Sequence, residues 1–255
     1  MWSGVGMKCG AAMVCLTGAD GADGEQTQGR KKTGTMSGPE DENNPSDGFD
    51  PEDPQLPRQV VLVLNAAVMY PLMAALAFGL SYWLLDRSPL TALGDGGLSL
   101  PWKVGLGAGL GLLVYGLDNL LERVLPFFQR MAQAFGDLLG GLGPGQVLAM
   151  AVLSSVGEEI FFRGFVQVGA EHYLGSYLPG AGLIVSSIFF GLLHIAPDRR
   201  LWAWPLLAIA MGFAFGWLFD YTGDVLAPIL AHFTINFFSL MALSRRHGAD
   251  ETAPT

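Results

Sequence analysis

The chain has 255 residues, 51% hydrophobic and only 15% charged, with mean hydropathy +0.38 and a formal net charge of −9. Such a balance excludes an ordinary water-soluble enzyme, and the negative charge argues against nucleic acid as a partner. Residues 1–58 hold ten of the 23 acidic and five of the 14 basic residues, amid many Gly, Pro, Ser and Asn. With almost no apolar periodicity, they are expected to form a disordered polar tail. The first twenty residues have one early Lys and a broken apolar run, unlike a cleaved signal peptide. Cys9 and Cys15 supply too few ligands for a zinc site and read as incidental thiols. Met36 offers an alternative start.

Residues 59–245 read as a transmembrane helical domain. A bilayer core needs about 20 mostly apolar residues per helix, and six segments qualify: 59–85, 102–121, 145–170, 180–196, 201–219 and 224–243. Between the second and third lies "PFFQRMAQAFGDLL" (126–139). There Phe128, Met131, Phe135 and Leu138 recur at helical spacing opposite Gln129, Gln133 and Asp137, which predicts an interfacial amphipathic helix. Residues 246–255 form a short C-terminal tail. The predicted fold is thus all-α, a polytopic membrane bundle of about six spans plus one interfacial helix. Six spans put both termini on one side. That side carries Arg58, Arg123, Arg130, Arg199, Arg200, Arg245 and Arg246, against Arg87 and Lys103 on the other. The positive-inside bias then places both termini in the cytoplasm. Gly105/Gly109, Gly107/Gly111 and Gly212/Gly216 are small residues four apart, suited to close helix packing.

Ionisable groups are expensive at bilayer depth unless they face a cavity or one another, yet "GEEIFFRGF" (157–165) carries three. The intramembrane polar residues are Asn65, Asp118, Glu158, Glu159, Arg163, His194, His232 and Asn236. On an α-helix Glu159 and Arg163 lie about 40° apart and can pair, whereas Glu158 and Arg163 lie about 140° apart. Glu159 therefore neutralises Arg163 and leaves Glu158 free. Phe190 and His194 share a face at i, i+4, as do His232 and Asn236. One free carboxylate, two histidines and a carboxamide from three helices can converge on a wet cavity. Glu158 can then serve as general base for water, with His and Asn donors for an oxyanion. Alternatively Glu158, His194 and His232 make a zinc site with an open position. Either arrangement performs hydrolysis.

The series Glu158-Glu159-x-x-x-Arg163, Phe190-x-x-x-His194 and His232-x-x-x-Asn236 resembles the motifs of the CAAX protease and bacteriocin-processing family. That family includes the Ras-converting type of prenyl endopeptidase and lysostaphin-resistance-like proteins. The resemblance covers about residues 145–240, the motif-bearing core, and implies an intramembrane endopeptidase. It implies a catalytic set of Glu158, Glu159, His194, His232 and Asn236. Within it Glu158 activates water with His194, and His232 and Asn236 bind the oxyanion or a metal. Glu159, Arg163 and Phe190 support them. Both a Zn2+-dependent and a metal-free glutamate mechanism are described for the family, and this sequence leaves the choice open.

The expected reaction is hydrolysis of a peptide bond in a membrane-associated peptide or protein, prenylated or otherwise lipidated substrates included. The expected setting is the bacterial inner membrane. The alternatives are a non-catalytic immunity factor or scaffold and, less favoured for want of an internal repeat, a transporter.

Overall fold

The computed structural model describes residues 56–92 and 97–251, with side chains through Arg246. The polar N-terminal tail, Cys9, Cys15 and Met36 lie outside the described residues. The described chain is helical, and its extended pairing is an isolated antiparallel bridge between Thr91 and Asp224.

The helices in chain order are α1 (Arg58–Leu85), α2 (Leu100–Val124), α3 (Pro126–Leu139) and α4 (Pro144–Leu174). They continue with α5 (Ala181–Leu192), α6 (Trp204–Thr222) and α7 (Leu226–Glu251). Proline stands in the first turn of α2, α3, α4 and α6, where its missing N–H costs no hydrogen bond and its φ is already helical. Five helices (α1, α2, α4, α6 and α7) are long and apolar enough to cross a membrane. Their outer faces carry exposed large apolar side chains, among them Val68, Leu72, Trp83, Trp102 and Leu113. An apolar surface of that extent belongs in lipid, and the chain is an integral membrane protein.

The remaining predicted span, 180–196, is helical only over Ala181–Leu192. Twelve residues rise about 18 Å, well short of a bilayer core of about 30 Å. The helix tightens at its end, where Leu193 N donates to both Phe189 and Gly191 carbonyls, and Pro197 follows soon after. The chain then runs through turns and a single 3₁₀ turn (Arg199–Leu201) before α6 begins. Non-helical backbone at such depth is tolerated where it lines protein or water.

A second departure lies within α4. Residues Ile160–Gln167 are wound as a π-helix between α-helical flanks. Such segments have no signature in apolar periodicity and commonly mark functional sites. The amphipathic α3 forms as predicted, but its apolar face packs on the bundle. Met131 and Ala134 are buried with Leu201, beside Phe135 and Trp204. Arg58 ties the same helix down from α1, donating to the carbonyls of Asp137 (2.8 Å) and Leu138 (2.9 Å).

Of the small-residue pairs, Gly107 and Gly111 sit in the α2–α7 crossing. A Cβ on Gly107 would lie 2.5 Å from the Ala227 carbonyl oxygen, and one on Gly111 would lie 2.6 Å from Thr234 Cβ. Gly105 and Gly109 face open space. Gly111→Ala is therefore expected to destabilise the protein by about 1–3 kcal/mol through overpacking. Gly105→Ala is expected to be neutral or slightly stabilising through helix propensity. Thermal unfolding of the two variants in detergent checks the contrast.

Candidate active site

The polar groups converge on α4, the central helix, which packs against α1 and α7. Glu159 and Arg163 are wholly buried, and Glu158 is 4% exposed. Glu159 Oε2 accepts from Arg163 Nε at 2.9 Å, the pairing that the i, i+4 spacing predicts. Arg163 Nη1 donates to Ser186 Oγ on α5 (3.0 Å), and that hydroxyl donates to the Phe162 carbonyl (3.0 Å). The guanidinium also lies 5.2 Å from the centre of the Phe190 ring, a cation–π distance. Arg163 is thus a buried clamp between α4 and α5.

Glu159 has a second partner. Its Oε1 accepts from His232 Nδ1 of α7 at 2.8 Å. Because an ionised carboxylate only accepts, Nδ1 must carry the proton, and in the neutral ring Nε2 is the bare nitrogen. His194 is oriented by the same logic from another source. Its Nδ1 donates to the Phe190 carbonyl at 2.7 Å, so in the neutral ring its Nε2 is bare as well. Phe190 lies between the two histidines, 4.5 Å from the His194 ring and 6.1 Å from the His232 ring. Phe215 stacks on the His232 ring, with centroids 5.2 Å apart.

The bare nitrogen of His194 looks at Glu158. Its Nε2 stands 4.0 Å from Glu158 Oε2, an oxygen that is buried and has no hydrogen-bond partner among the described residues. The short α5 explains the approach: the helix stops inside the bundle and delivers His194 to the depth of Glu158. With 13% of its side chain exposed, His194 is also the more open of the two. Asn236 reaches the same helix from α7, donating through Nδ2 to Ser154 Oγ at 2.9 Å. Ser154 is one turn before Glu158, so the carboxamide and the carboxylate lie along one face of α4.

Glu158, Glu159, Arg163, Phe190, His194, His232 and Asn236 are therefore gathered in one region on α4, the end of α5, and α7. Asn65 and Asp118 are not part of it. Asn65 is exposed on α1, and Asp118 lies on α2 near Glu122 and Arg246. Sequence reasoning did not single out Ser154, Ser186 or Tyr70, whose hydroxyl faces Glu158 without reaching hydrogen-bond geometry. A signal existed for Ser154 in its i−4 spacing from Glu158. Ser186 announces itself only through the fold.

The donor chemistry of Glu158, His194 and His232 suits zinc, since histidine ligands commonly have the second nitrogen tied to a carbonyl or carboxylate. Their spacing does not suit it. Among the described residues, no three His, Cys, Asp or Glu side chains come together as one ion would require.

Fold and site define an all-helical, polytopic membrane protein with a buried carboxylate–histidine pair at its centre. Residues 141–238, which hold all seven motif residues, match the family model described as type II CAAX prenyl endopeptidase Rce1-like. The resemblance read from the motifs is thereby borne out. YdiL of Bacillus subtilis (strain 168), whose name carries a provisional assignment as a membrane peptidase, is 32% identical over 145 residues. The match covers 56% of this chain and 55% of YdiL. YpbD of the same organism, an uncharacterized protein, is 29% identical over 92 residues, 35% of this chain and 41% of YpbD. The chain thus spans about half the length, or less, of these curated relatives. No solved structure matches it.

Proposed function

We propose that this protein is an intramembrane endopeptidase that hydrolyses a peptide bond in a membrane-associated peptide or protein, with Glu158 and His194 activating water. The observation that carries the reading is the pair of facing acceptors, Glu158 Oε2 and His194 Nε2, 4.0 Å apart. Two bare acceptors repel unless a donor lies between them. A water molecule satisfies both, since two hydrogen bonds of about 2.8 Å close a triangle on that base. Such a water gives both protons to the protein and keeps its lone pairs free, which is the posture of a nucleophile under general-base catalysis.

The other residues complete the chemistry. As the water attacks the carbonyl carbon, its proton passes to Glu158, and the carbonyl oxygen becomes an oxyanion. Asn236 keeps a second amide hydrogen for that oxyanion, and His232, protonated from bulk solvent before the attack, adds its Nε2–H. Glu159 holds His232 in the required tautomer through Nδ1, and Arg163 balances the Glu159 charge. Collapse of the tetrahedral intermediate returns the proton from Glu158 to the leaving amine. The family match and the name of YdiL support a peptidase of this kind. No step requires a metal as the side chains stand. Lipidated peptides are natural substrates for a site reached through a membrane.

The arginine-rich end of the bundle supports a cytoplasmic placement of both ends of the helical domain. Arg58 meets the C-terminus of α3, Arg200 pairs with Asp137 at 2.8 Å, and Arg246 pairs with Glu122, so these charges gather at one end. Lys103, paired with Asp224, and Arg87 mark the other.

The test uses the purified chain in lipid vesicles with a panel of membrane-anchored peptides, lipidated and not, in H₂¹⁸O. Expected is cleavage of at least one peptide with ¹⁸O in the new carboxylate, unaffected by a zinc chelator. Intact peptides throughout overturn the peptidase reading. Cleavage lost to the chelator and restored by zinc overturns the metal-free route alone.

A further inference from the structure

Two buried polar groups meet across the α1–α4 contact. The Tyr70 hydroxyl faces Glu158, and neither it nor Glu158 Oε2 has a hydrogen-bond partner among the described residues. Tyr70 is 1% exposed. Leaving a phenol and a carboxylate unsatisfied in the same buried space is costly, and their chemistry is complementary in one direction: the phenol donates, the ionised carboxylate accepts. The approach is built into the backbone. Gly157, next to Glu158, lies so close to α1 that a Cβ there would sit 2.8 Å from both the Cβ and the carbonyl oxygen of Tyr70. The Tyr70 ring belongs to an apolar cluster with Ala66, Val147 and Met150, which fixes the ring and leaves the hydroxyl as its single polar atom.

We propose that Tyr70 is a positioning residue of the active site, its hydroxyl donating to Glu158 and holding that carboxylate toward His194. The inference rests on the peptidase reading for its functional half and extends the site to α1, outside the family-matched residues 141–238. With one donor on the carboxylate from α1, Glu158 cannot swing away from the water it shares with His194. Its remaining lone pairs stay available for the proton it must take.

A double-mutant cycle of Tyr70→Phe and Glu158→Gln tests this with two readouts. Phenylalanine keeps the ring and removes only the hydroxyl. In turnover, Tyr70→Phe is expected to lower kcat by roughly 10- to 100-fold, the range for one hydrogen bond to a charged group, with KM unchanged. In the Glu158→Gln background it is expected to cost nothing further. In thermal unfolding, the two substitutions are expected to be non-additive, because phenylalanine removes and the neutral glutamine acceptor weakens the same contact. Additive melting shifts overturn the inference, as does full turnover in Tyr70→Phe beside an inactive Glu158→Gln. A wild-type chain that cleaves nothing while the melting coupling persists upholds the Tyr70–Glu158 contact and overturns the peptidase reading instead.

Discussion

Glu158→Gln is expected to lower turnover by about a thousandfold or more while leaving the fold intact. Glutamine matches glutamate in shape, so the space between α1, α4 and the end of α5 stays filled and no cavity opens. It cannot take a proton from water, and its amide NH₂, if turned toward His194, donates to the nitrogen that should receive the water. General-base assistance alone contributes roughly 10²–10⁴-fold, and the loss of a correctly seated water adds to that. Stability is expected to hold or rise, since the substitution removes a buried ionisable group that has no salt-bridge cation of its own. The check is cleavage rate against melting temperature, both on the same preparation in lipid or detergent. Wild-type turnover in Glu158→Gln would take this residue out of the mechanism. A fall of the same size in Asn236→Ala would not weaken the assignment, because an oxyanion donor contributes roughly 10²–10³-fold.

The sequence made the first-order arrangement of this site readable, and the reason is helical spacing. Glu159–Arg163 and Phe190–His194 are i, i+4 relations within single helices, and both appear in the structure as direct contacts. The membrane sharpened the signal further, because polar residues in apolar spans are few and conspicuous. Relations between helices were less accessible. That His232 bonds Glu159 and not Glu158 depends on how α7 crosses α4. The anchoring of Asn236 by Ser154 depends on the same crossing. Hydropathy reads residues 180–196 as a full span because, apart from Ser186, Ser187 and His194, they are apolar or glycine, and nothing in that measure marks where the backbone leaves the helix. The early stop at Leu192 is a matter of hydrogen bonds, with His194 N and Ile195 N turning to carbonyls three residues back and the His194 ring taking the Phe190 carbonyl. The π-turns at Ile160–Gln167 are hidden for a related reason. They change which carbonyl each N–H meets without changing which residues are apolar.

Arg163→Met is expected to destabilise the fold by about 3–5 kcal/mol, and Glu159→Gln/Arg163→Met to recover most of that stability without restoring turnover. Methionine fills the volume of the arginine stem but strands Glu159, a carboxylate with no exposed surface, with His232 as its one remaining partner. Breaking a buried pair by removing one member costs about 3–5 kcal/mol, a large part of the 5–15 kcal/mol that holds a typical domain together. Ser186 and the face of Phe190 lose their cation at the same time. Removing both charges is a different matter, because replacing a buried ion pair by neutral groups of similar size is often harmless. The double variant is therefore expected to purify as a monodisperse protein and to melt near wild type. Its site is nonetheless altered. A glutamine at 159 can present either its carbonyl or its amide to His232 Nδ1, so the imidazole is no longer held in one tautomer with a carboxylate to stabilise its protonated form. Turnover is expected to stay at least tenfold below wild type, as for other changes to the groups that orient a functional histidine. Size-exclusion profile and melting temperature read the first half of the prediction, and cleavage rate reads the second. An Arg163→Met variant that melts near wild type would mean that Glu159 is satisfied without its arginine, and a fully active double variant would mean that His232 needs no carboxylate behind it.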